Sequence, residues 1–151
     1  MKTLGIRAEP SKVWYAVFCS DTQAVLNVDS ILLPETLTPP EQLKLIRYAV
    51  IDIIREYEIH YAGIRMFEGN AKNIPIERFF IEGVIQESFA SSELKKYFVF
   101  RLSSLAKRFS ITATTLKNNI NDGDEVYGVD LSTLRTKAER ESVLAAVGAS
   151  L

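Results

Sequence analysis

The chain has 151 residues, of which 47% are hydrophobic and 25% charged, and its formal net charge is −1. This length and composition are typical of a soluble domain with a sizeable core, so we expect residues 1–151 to form a single domain. A dedicated nucleic-acid-binding domain is usually basic, and the charge balance therefore argues against one, although it allows a local basic patch. No apolar run approaches the length that spans a membrane, and no membrane association is expected.

Cys19 is the single cysteine, which excludes an intramolecular disulfide. No signal peptide is recognisable, so the simplest expected location is the reducing cytoplasm. Cys19 lies in the apolar run at residues 13–19, and we expect it to be a small buried core residue.

The first third of the chain predicts three strands. Residues with high strand propensity mark the runs 3–8, 13–19 and 24–33. Pro10 lies between the first two runs, where its fixed backbone favours a turn. Residues 21–23 form a second polar turn, so the three strands are expected to pair as an antiparallel meander.

A long helix and a fourth strand follow. Thr38 and Glu41 form a capping box, and the residues after them place apolar side chains at three- and four-residue spacing, which predicts an amphipathic helix. The run 59–67 predicts a strand. A strand, a helix and another strand in succession imply a crossover onto a parallel neighbour.

The next predicted helix begins after a polar loop. Asn73 is expected to cap it, with Pro75 in the first turn and the end near Phe89. Gly83 costs a helix interior roughly 1 kcal/mol relative to alanine, so we expect it to mark a close approach to the sheet. The side chains expected to make apolar contacts are Phe79, Phe80, Val84 and Ile85.

The C-terminal part completes the pattern. The run 97–102 predicts a fifth strand, residues 103–109 predict a short helix or a turn, and a further helix is expected at 112–120. Thr136 and Glu139 form a second capping box, which begins a last helix. Three antiparallel strands followed by two helix crossovers predict an α/β fold in which a mixed five-stranded sheet lies between helices.

This order of elements is also that of the RNase H-like fold, and several segments resemble RuvC-type Holliday-junction resolvases. GIRAEPSKVWYAVF, residues 5–18, resembles the family's first hairpin, which reads roughly G-I-D-P-G-S. Its first two letters match, Arg7 replaces the aspartate, and the glycine turn is replaced by Glu-Pro-Ser. AGIRMFEGNAKN, residues 62–73, resembles the family's fourth strand and the loop after it. Arg65 falls where that strand carries a catalytic glutamate.

The C-terminal third resembles the family more weakly. RLSSLAKRFSITATTLKNNI, residues 101–120, is similar in layout to the segment after the fifth strand. ERESVLAAV, residues 139–147, resembles the last helix, whose start carries the remaining acidic residues. Glu141 is the best match there, and the resemblance implies a nuclease fold with arginines at two central carboxylate positions.

The resemblance implies a chemistry that these arginines oppose. Active members are expected to hold two divalent metals with clustered Asp and Glu side chains. Mg²⁺ prefers oxygen ligands, whereas an arginine stays protonated and has no acceptor atom. Arg7 and Arg65 should therefore weaken metal binding, and no catalytic residue, metal or cofactor is expected. If the protein is active, the carboxylates available to hold Mg²⁺ or Mn²⁺ are Glu9, Glu68 and Glu141.

These carboxylates have a second interpretation. Glu9 lies two residues after Arg7 and would share its face in an unbroken strand. Alternatively, Glu9 and Glu68 are solvated turn residues or ion-pair with the arginines. We favour ion pairing of Arg7 or Arg65 with Glu141 as a structural replacement for the metal.

Positive charge is concentrated in one third of the chain, and with Arg7 and Arg65 it suggests a phosphate-binding surface, the alternative being a solvated face. The predicted nucleic-acid-binding residues are Lys95, Lys96, Arg101, Lys107, Arg108 and Lys117. The loop at residues 70–73 precedes a helix and could also hold a phosphate, although such loops are more often only caps.

Two other features have weaker functional interpretations. His60 is the single histidine and lies near a predicted strand start, where a structural role is expected. Residues 122–125 resemble part of a calcium loop but lack its twelve-residue ligand spacing, so an acidic turn is expected.

Three functions remain open at this point. The preferred one is a catalytically degenerate RuvC-like protein that binds DNA, RNA or a protein partner without cleaving. The second is an active divalent-metal-dependent nuclease with displaced carboxylates. The third is a structural module that forms a homodimer, for which the apolar helix at residues 74–89 could supply the interface.

Overall fold

The structure is a computed structural model that describes residues 1–69, 72–73 and 75–151. Its five strands are β1 (Lys2–Ala8), β2 (Lys12–Cys19), β3 (Ala24–Leu32), β4 (Tyr61–Arg65) and β5 (Lys96–Phe100). They form one sheet in the order β3-β2-β1-β4-β5. Neighbours among β1, β2 and β3 are antiparallel, whereas β4 is parallel to both β1 and β5. The mixed five-stranded sheet predicted from the sequence is confirmed.

Helices cover both faces of this sheet. They are α1 (Pro39–Glu56), α2 (Ile76–Ala90), α3 (Leu102–Arg108), α4 (Ala113–Asp122) and α5 (Lys137–Ser150). One apolar cluster joins α1 and α2 to the sheet, and a second joins α3, α4 and α5 to the other face. In the part of the chain that the structure describes, no helix combines the length and apolar character needed to cross a bilayer.

The two predicted helix starts with capping boxes are both found. The Glu41 carboxylate accepts a hydrogen bond from the Thr38 backbone N–H at 3.2 Å, at the start of α1. The Glu139 carboxylate accepts one from the Thr136 backbone N–H at 2.7 Å, and the Thr136 hydroxyl accepts one from the Glu139 N–H at 3.2 Å. These contacts satisfy backbone donors that have no partner inside the helix.

Helix α2 differs from its prediction in both start and orientation. Its N-cap is Pro75 rather than Asn73. Of the four side chains expected to make apolar contacts, Phe79 and Phe80 are 42% and 57% exposed, whereas Ile85 is buried. The residues of α2 that are buried are Ile81, Glu82, Ile85, Ser88 and Phe89. These five residues also recur at helical spacing. The helix is rotated so that they, rather than Phe79 and Phe80, face the sheet.

The prediction of a close approach at Gly83 is wrong, because a Cβ there would meet no heavy atom within 4 Å. The close approach lies at Gly5 in β1. A Cβ on Gly5 would overlap the backbone of Ser142 and Ala146 in α5. The missing side chain lets the helix backbone rest directly on the strand, and the Thr3 hydroxyl donates a hydrogen bond to the Ala146 carbonyl at 2.7 Å.

Helix α5 is buried around its circumference. The sequence indicated an apolar side, yet every residue from 141 to 149 is buried. The reason is that α5 lies between the sheet and the helices α3 and α4, with which it shares one apolar cluster. The prediction that Cys19 is buried in the core is wrong, because Cys19 is only partly buried. It is the last residue of β2 and lies beside a turn.

Substitution of the two glycines by alanine should have opposite effects on the free energy of unfolding. Gly5→Ala should lower it by about 1–3 kcal/mol, because the methyl group would force the α5 backbone away from β1. Gly83→Ala should raise it by up to about 1 kcal/mol, because Gly83 is in an exposed helix with open space around it. Urea denaturation checks both values. A Gly5→Ala protein as stable as the wild type would contradict the packing described.

Candidate functional site

The candidate site lies where β1 and β4 end. Arg7 and Arg65 are direct partners in the parallel register of these strands. Because paired residues of adjacent strands point to the same face of a sheet, their side chains emerge side by side. The fold thus brings together the two arginines at the positions where the resemblance implies metal-binding carboxylates.

Both arginines form an ion pair with Glu141 near the start of α5. The Oε2 atom of Glu141 lies 3.3 Å from Nε of Arg7 and 3.0 Å from Nε of Arg65. The side chains are 11%, 11% and 7% exposed for Arg7, Glu141 and Arg65, respectively. The ion pairing that the sequence favoured is therefore observed, and both arginines share one carboxylate oxygen.

Backbone carbonyls fix the orientation of the two guanidinium groups. Nη1 of Arg7 donates hydrogen bonds to the carbonyls of Arg65 and Met66, at 3.0 and 2.7 Å. Nη1 of Arg65 also donates to the Met66 carbonyl. The end of β4 and the residue after it thus supply one of the cations and the carbonyl acceptors that hold both.

Burial changes the acid–base behaviour of Arg7. Loss of hydration lowers the pKa of Arg7 to about 10, although the Glu141 carboxylate opposes this change. A guanidinium with this pKa is still protonated at neutral pH. The site therefore keeps two adjacent positive charges under physiological conditions.

The other two candidate carboxylates have different surroundings. Oε2 of Glu68 lies 2.8 Å from Nη1 of Arg65 and accepts a hydrogen bond from the Leu102 N–H at 2.8 Å. Glu9 lies in the turn after β1, where its backbone N–H donates to the Lys12 carbonyl at 2.8 Å. Within residues 1–69, 72–73 and 75–151, no group of three or more His, Cys, Asp or Glu side chains is placed to hold a metal ion.

A further carboxylate, Glu82 of α2, was not identified from the sequence. It is 1% exposed, and its Oε2 accepts a hydrogen bond from the Phe67 N–H at 2.8 Å, whereas its Oε1 has no hydrogen-bond partner. Burial raises the pKa of Glu82, and the Phe67 N–H and nearby arginines partly oppose the increase. One of these is Arg78, whose guanidinium lies 4.7 Å from the Phe67 ring centroid. The helical spacing of Glu82 to Ile85 was the sequence signal that could have identified Glu82 as a buried residue.

A cavity of about 630 Å³ opens beside the arginine pair. The starts of α3, α4 and α5 contribute to its wall through Leu102, Ala113 and Lys137. The charged side chains in the wall are four cations and two anions, namely Arg7, Arg65, Lys117, Lys137, Glu68 and Glu141. The cavity therefore has a net formal charge of +2 at neutral pH.

Three of the six basic residues proposed for nucleic-acid binding, Lys117, Lys96 and Arg108, line two different cavities. Lys117 lines the cavity beside the arginines. Lys96 and Arg108 lie over the Phe98 ring, 5.0 and 4.3 Å from its centroid, beside a second cavity of about 440 Å³ near the end of α5. The two cavities lie near opposite ends of β5. The remaining three, Lys95, Arg101 and Lys107, are exposed.

Among the described residues, the sequence candidates His60 and the acidic turn at residues 122–125 do not line this cavity. His60 is exposed just before β4. Asp122 ends α4, and Gly123 caps that helix in the left-handed conformation with φ 73°. Of the loop at residues 70–73, positions 70 and 71 lie outside the described residues, so its suggested phosphate binding stays a prediction.

The architecture is that of the RNase H-like fold, and solved Holliday-junction resolvases share it. Thermus thermophilus RuvC aligns with a TM-score of 0.74 over 98% of this chain and 92% of its own, at 10% identity. The structure of the same protein in complex with Holliday junction substrate aligns with a TM-score of 0.70 over 98% of this chain and 91% of its own, also at 10% identity. The yeast mitochondrial resolvase Ydc2 gives 0.57 over 97% and 76%, at 13% identity. This likeness is one of fold, and it confirms the predicted RuvC-like architecture.

No protein-family model and no curated protein matches the chain.

The shared carboxylate should be important for stability. Glu141→Gln removes the charge that faces two nearly buried arginines and should lower the free energy of unfolding by about 3 kcal/mol. Glu68→Gln is the matched control, because Glu68 is 37% exposed and its loss should cost no more than about 1 kcal/mol. Urea denaturation of both variants measures the difference. Equal losses would show that the Glu141 pairs carry no special weight.

The buried carboxyl of Glu82 should make stability depend on pH. The pKa of Glu82 is raised in the folded protein. At pH values between the ordinary pKa and this raised pKa, the Glu82 carboxyl is therefore protonated to a greater extent in the folded state than in the unfolded chain. The free energy of unfolding should be highest below the ordinary pKa and fall as pH rises through this window. Urea denaturation from about pH 4 to pH 8 should show this decline relative to Glu82→Gln. Parallel curves for the two proteins would contradict it.

Proposed function

We propose that this protein is a catalytically degenerate RuvC-like protein that binds nucleic acid without cleaving it. The observation that carries the proposal is the arginine pair. Arg7 and Arg65 are adjacent in register at the end of β1 and β4, and both lie within 3.3 Å of the Glu141 Oε2 atom. The resemblance to RuvC-type resolvases implies metal-binding carboxylates at these positions.

The residues at this edge do not fit a divalent-metal centre. Guanidinium groups carry no acceptor and repel cations, and hard cations such as Mg²⁺ need several oxygen ligands. Glu141 is engaged with two arginines, and Glu68 is engaged with Arg65 and the Leu102 N–H. In this proposal the arginines stabilise Glu141, as metal ions would in an active enzyme.

Charge favours nucleic acid as the ligand. The cavity has a net charge of +2, although the whole chain has −1, so positive charge is concentrated at this edge. Phosphate groups bind such sites with an affinity that decreases as salt increases. A solved structure with the same fold holds a Holliday junction substrate, which supports DNA as the first ligand to test.

A second candidate function, protein interaction or homodimer formation, is favoured by the exposed face of α2. Ile76, Phe79 and Phe80 are 58%, 42% and 57% exposed. Three large apolar side chains on one helix are typical of a surface that another protein covers. This function is compatible with the first, because α2 lies on the other face of the sheet from α3 and α4.

One assay distinguishes the candidates. The protein is incubated with labelled four-way junction, duplex, single-stranded DNA or RNA, in Mn²⁺ or in EDTA, beside Glu9→Gln. We expect salt-sensitive binding in EDTA, measured by fluorescence anisotropy, and intact substrates in Mn²⁺.

Two results would contradict the proposal. Cleavage that requires Mn²⁺ and is lost in Glu9→Gln would establish an active nuclease with a displaced site that includes Glu9. No binding to any nucleic acid, together with a dimer mass in light scattering, would favour the interaction module.

A further inference from the structure

We infer that the cavity beside Arg7 and Arg65 is a metal-free binding site for a dianionic phosphate, such as the phosphomonoester at a nucleic-acid end or that of a free nucleotide. The inference rests on the proposed function, because it assigns a ligand class to the same cavity. It differs from general backbone binding, since an internal phosphodiester carries one negative charge and a phosphomonoester carries nearly two at neutral pH.

The charge of the cavity matches a dianion. Its four cationic side chains exceed its two carboxylates by two. Two of the cations, Arg7 and Arg65, are nearly buried, so water screens them less than it screens an exposed lysine. A singly charged phosphodiester would leave part of this charge unmatched.

Hydrogen-bond donors at the site are not all satisfied. The bonds to backbone carbonyls use Nη1 of both arginines. Nε of each arginine faces the Glu141 Oε2, at 3.3 Å for Arg7 and 3.0 Å for Arg65. Nη2 of both arginines takes part in no hydrogen bond or ion pair between described residues, and a phosphate with several acceptor oxygens would accept from these groups and from the exposed lysines together.

Two helix starts reinforce the same preference. Ala113 and Lys137 are the first residues of α4 and α5, and both line the cavity. Side-chain caps already accept from the N–H groups of Thr115 and Glu139, but the positive end of each helix dipole still favours an anion in the cavity. The N–H of Leu102 at the start of α3 already donates to the Glu68 carboxylate.

Glu68 indicates where such a ligand would bind. Its carboxylate contacts a guanidinium and a helix-start N–H, which are the contacts a phosphate oxygen would make, and it is 37% exposed. We therefore treat Glu68 as an internal anion that a bound phosphate competes with. Removal of its charge should strengthen phosphate binding, whereas removal of a metal-ligating carboxylate would weaken binding.

The experiment compares single-stranded oligonucleotides that differ only in a 5′-phosphate or a 5′-hydroxyl, by fluorescence anisotropy in EDTA and again in Mn²⁺, with and without inorganic phosphate as a competitor. We expect the phosphorylated strand to bind about two- to fivefold more tightly. Glu68→Gln should widen this preference and Lys117→Gln should narrow it, each by about two- to fivefold. Lys44→Gln on α1, also an exposed lysine but away from the cavity, is the matched control and should leave the preference unchanged. Calorimetric titrations with inorganic phosphate and with a mononucleotide test whether the cavity binds a free phosphate-containing ligand.

The outcomes separate this inference from the proposed function. Equal binding of both strands, without competition by inorganic phosphate, would overturn the phosphate site and leave nucleic-acid binding intact. Binding of inorganic phosphate or a mononucleotide without binding of any strand would support the phosphate site and overturn the nucleic-acid function. A preference that requires Mn²⁺, or one weakened by Glu68→Gln, would overturn the inference in favour of a metal site.

Discussion

The direct packing of α5 on β1 is the constraint on which the rest of the structure depends. Gly5 has no side chain, so the strand lies against the backbone of Ser142 and Ala146. This contact fixes the helix over the centre of the sheet and brings its first turns to the edge where β1 and β4 end. Glu141, one residue before Ser142, is thereby held against both arginines. The geometry of the site is therefore a consequence of backbone packing.

The charged cluster is stable because its members compensate for one another. A buried ion loses hydration, which is expensive unless an opposite charge and hydrogen bonds replace the water. Here one carboxylate serves two guanidinium groups, and backbone carbonyls at the end of β4 accept hydrogen bonds from the Nη1 atoms of both. The compensation is incomplete, as the lowered pKa of Arg7 and the raised pKa of Glu82 show. Such a cluster suits a site whose charge is available to a ligand.

The RNase H-like fold therefore does not by itself determine the chemistry of the site in this chain. The sheet, its order and its helices match solved resolvases along nearly the whole chain, although the identity is only 10% with Thermus thermophilus RuvC. Side chains at the ends of β1 and β4 decide what such a fold can bind. In this chain these side chains are the arginines Arg7 and Arg65, which carry positive charge and no metal-ligating oxygen.

The sequence by itself determined the strands, the two helix starts with capping boxes and the parallel crossovers, because these depend on local spacing and on turn chemistry. It also identified Arg7, Arg65 and Glu141, since each stands in a segment that resembles a known family. Only the tertiary structure decided which face of α2 is buried, and hence that Glu82 is inside while Phe79 and Phe80 are outside. It alone decided that Gly5, rather than Gly83, is the point of close approach, and that Lys117 lines one cavity whereas Lys96 and Arg108 line another. The physical reason is that burial and proximity depend on how elements distant in sequence are rotated and packed, whereas local spacing constrains only each element by itself.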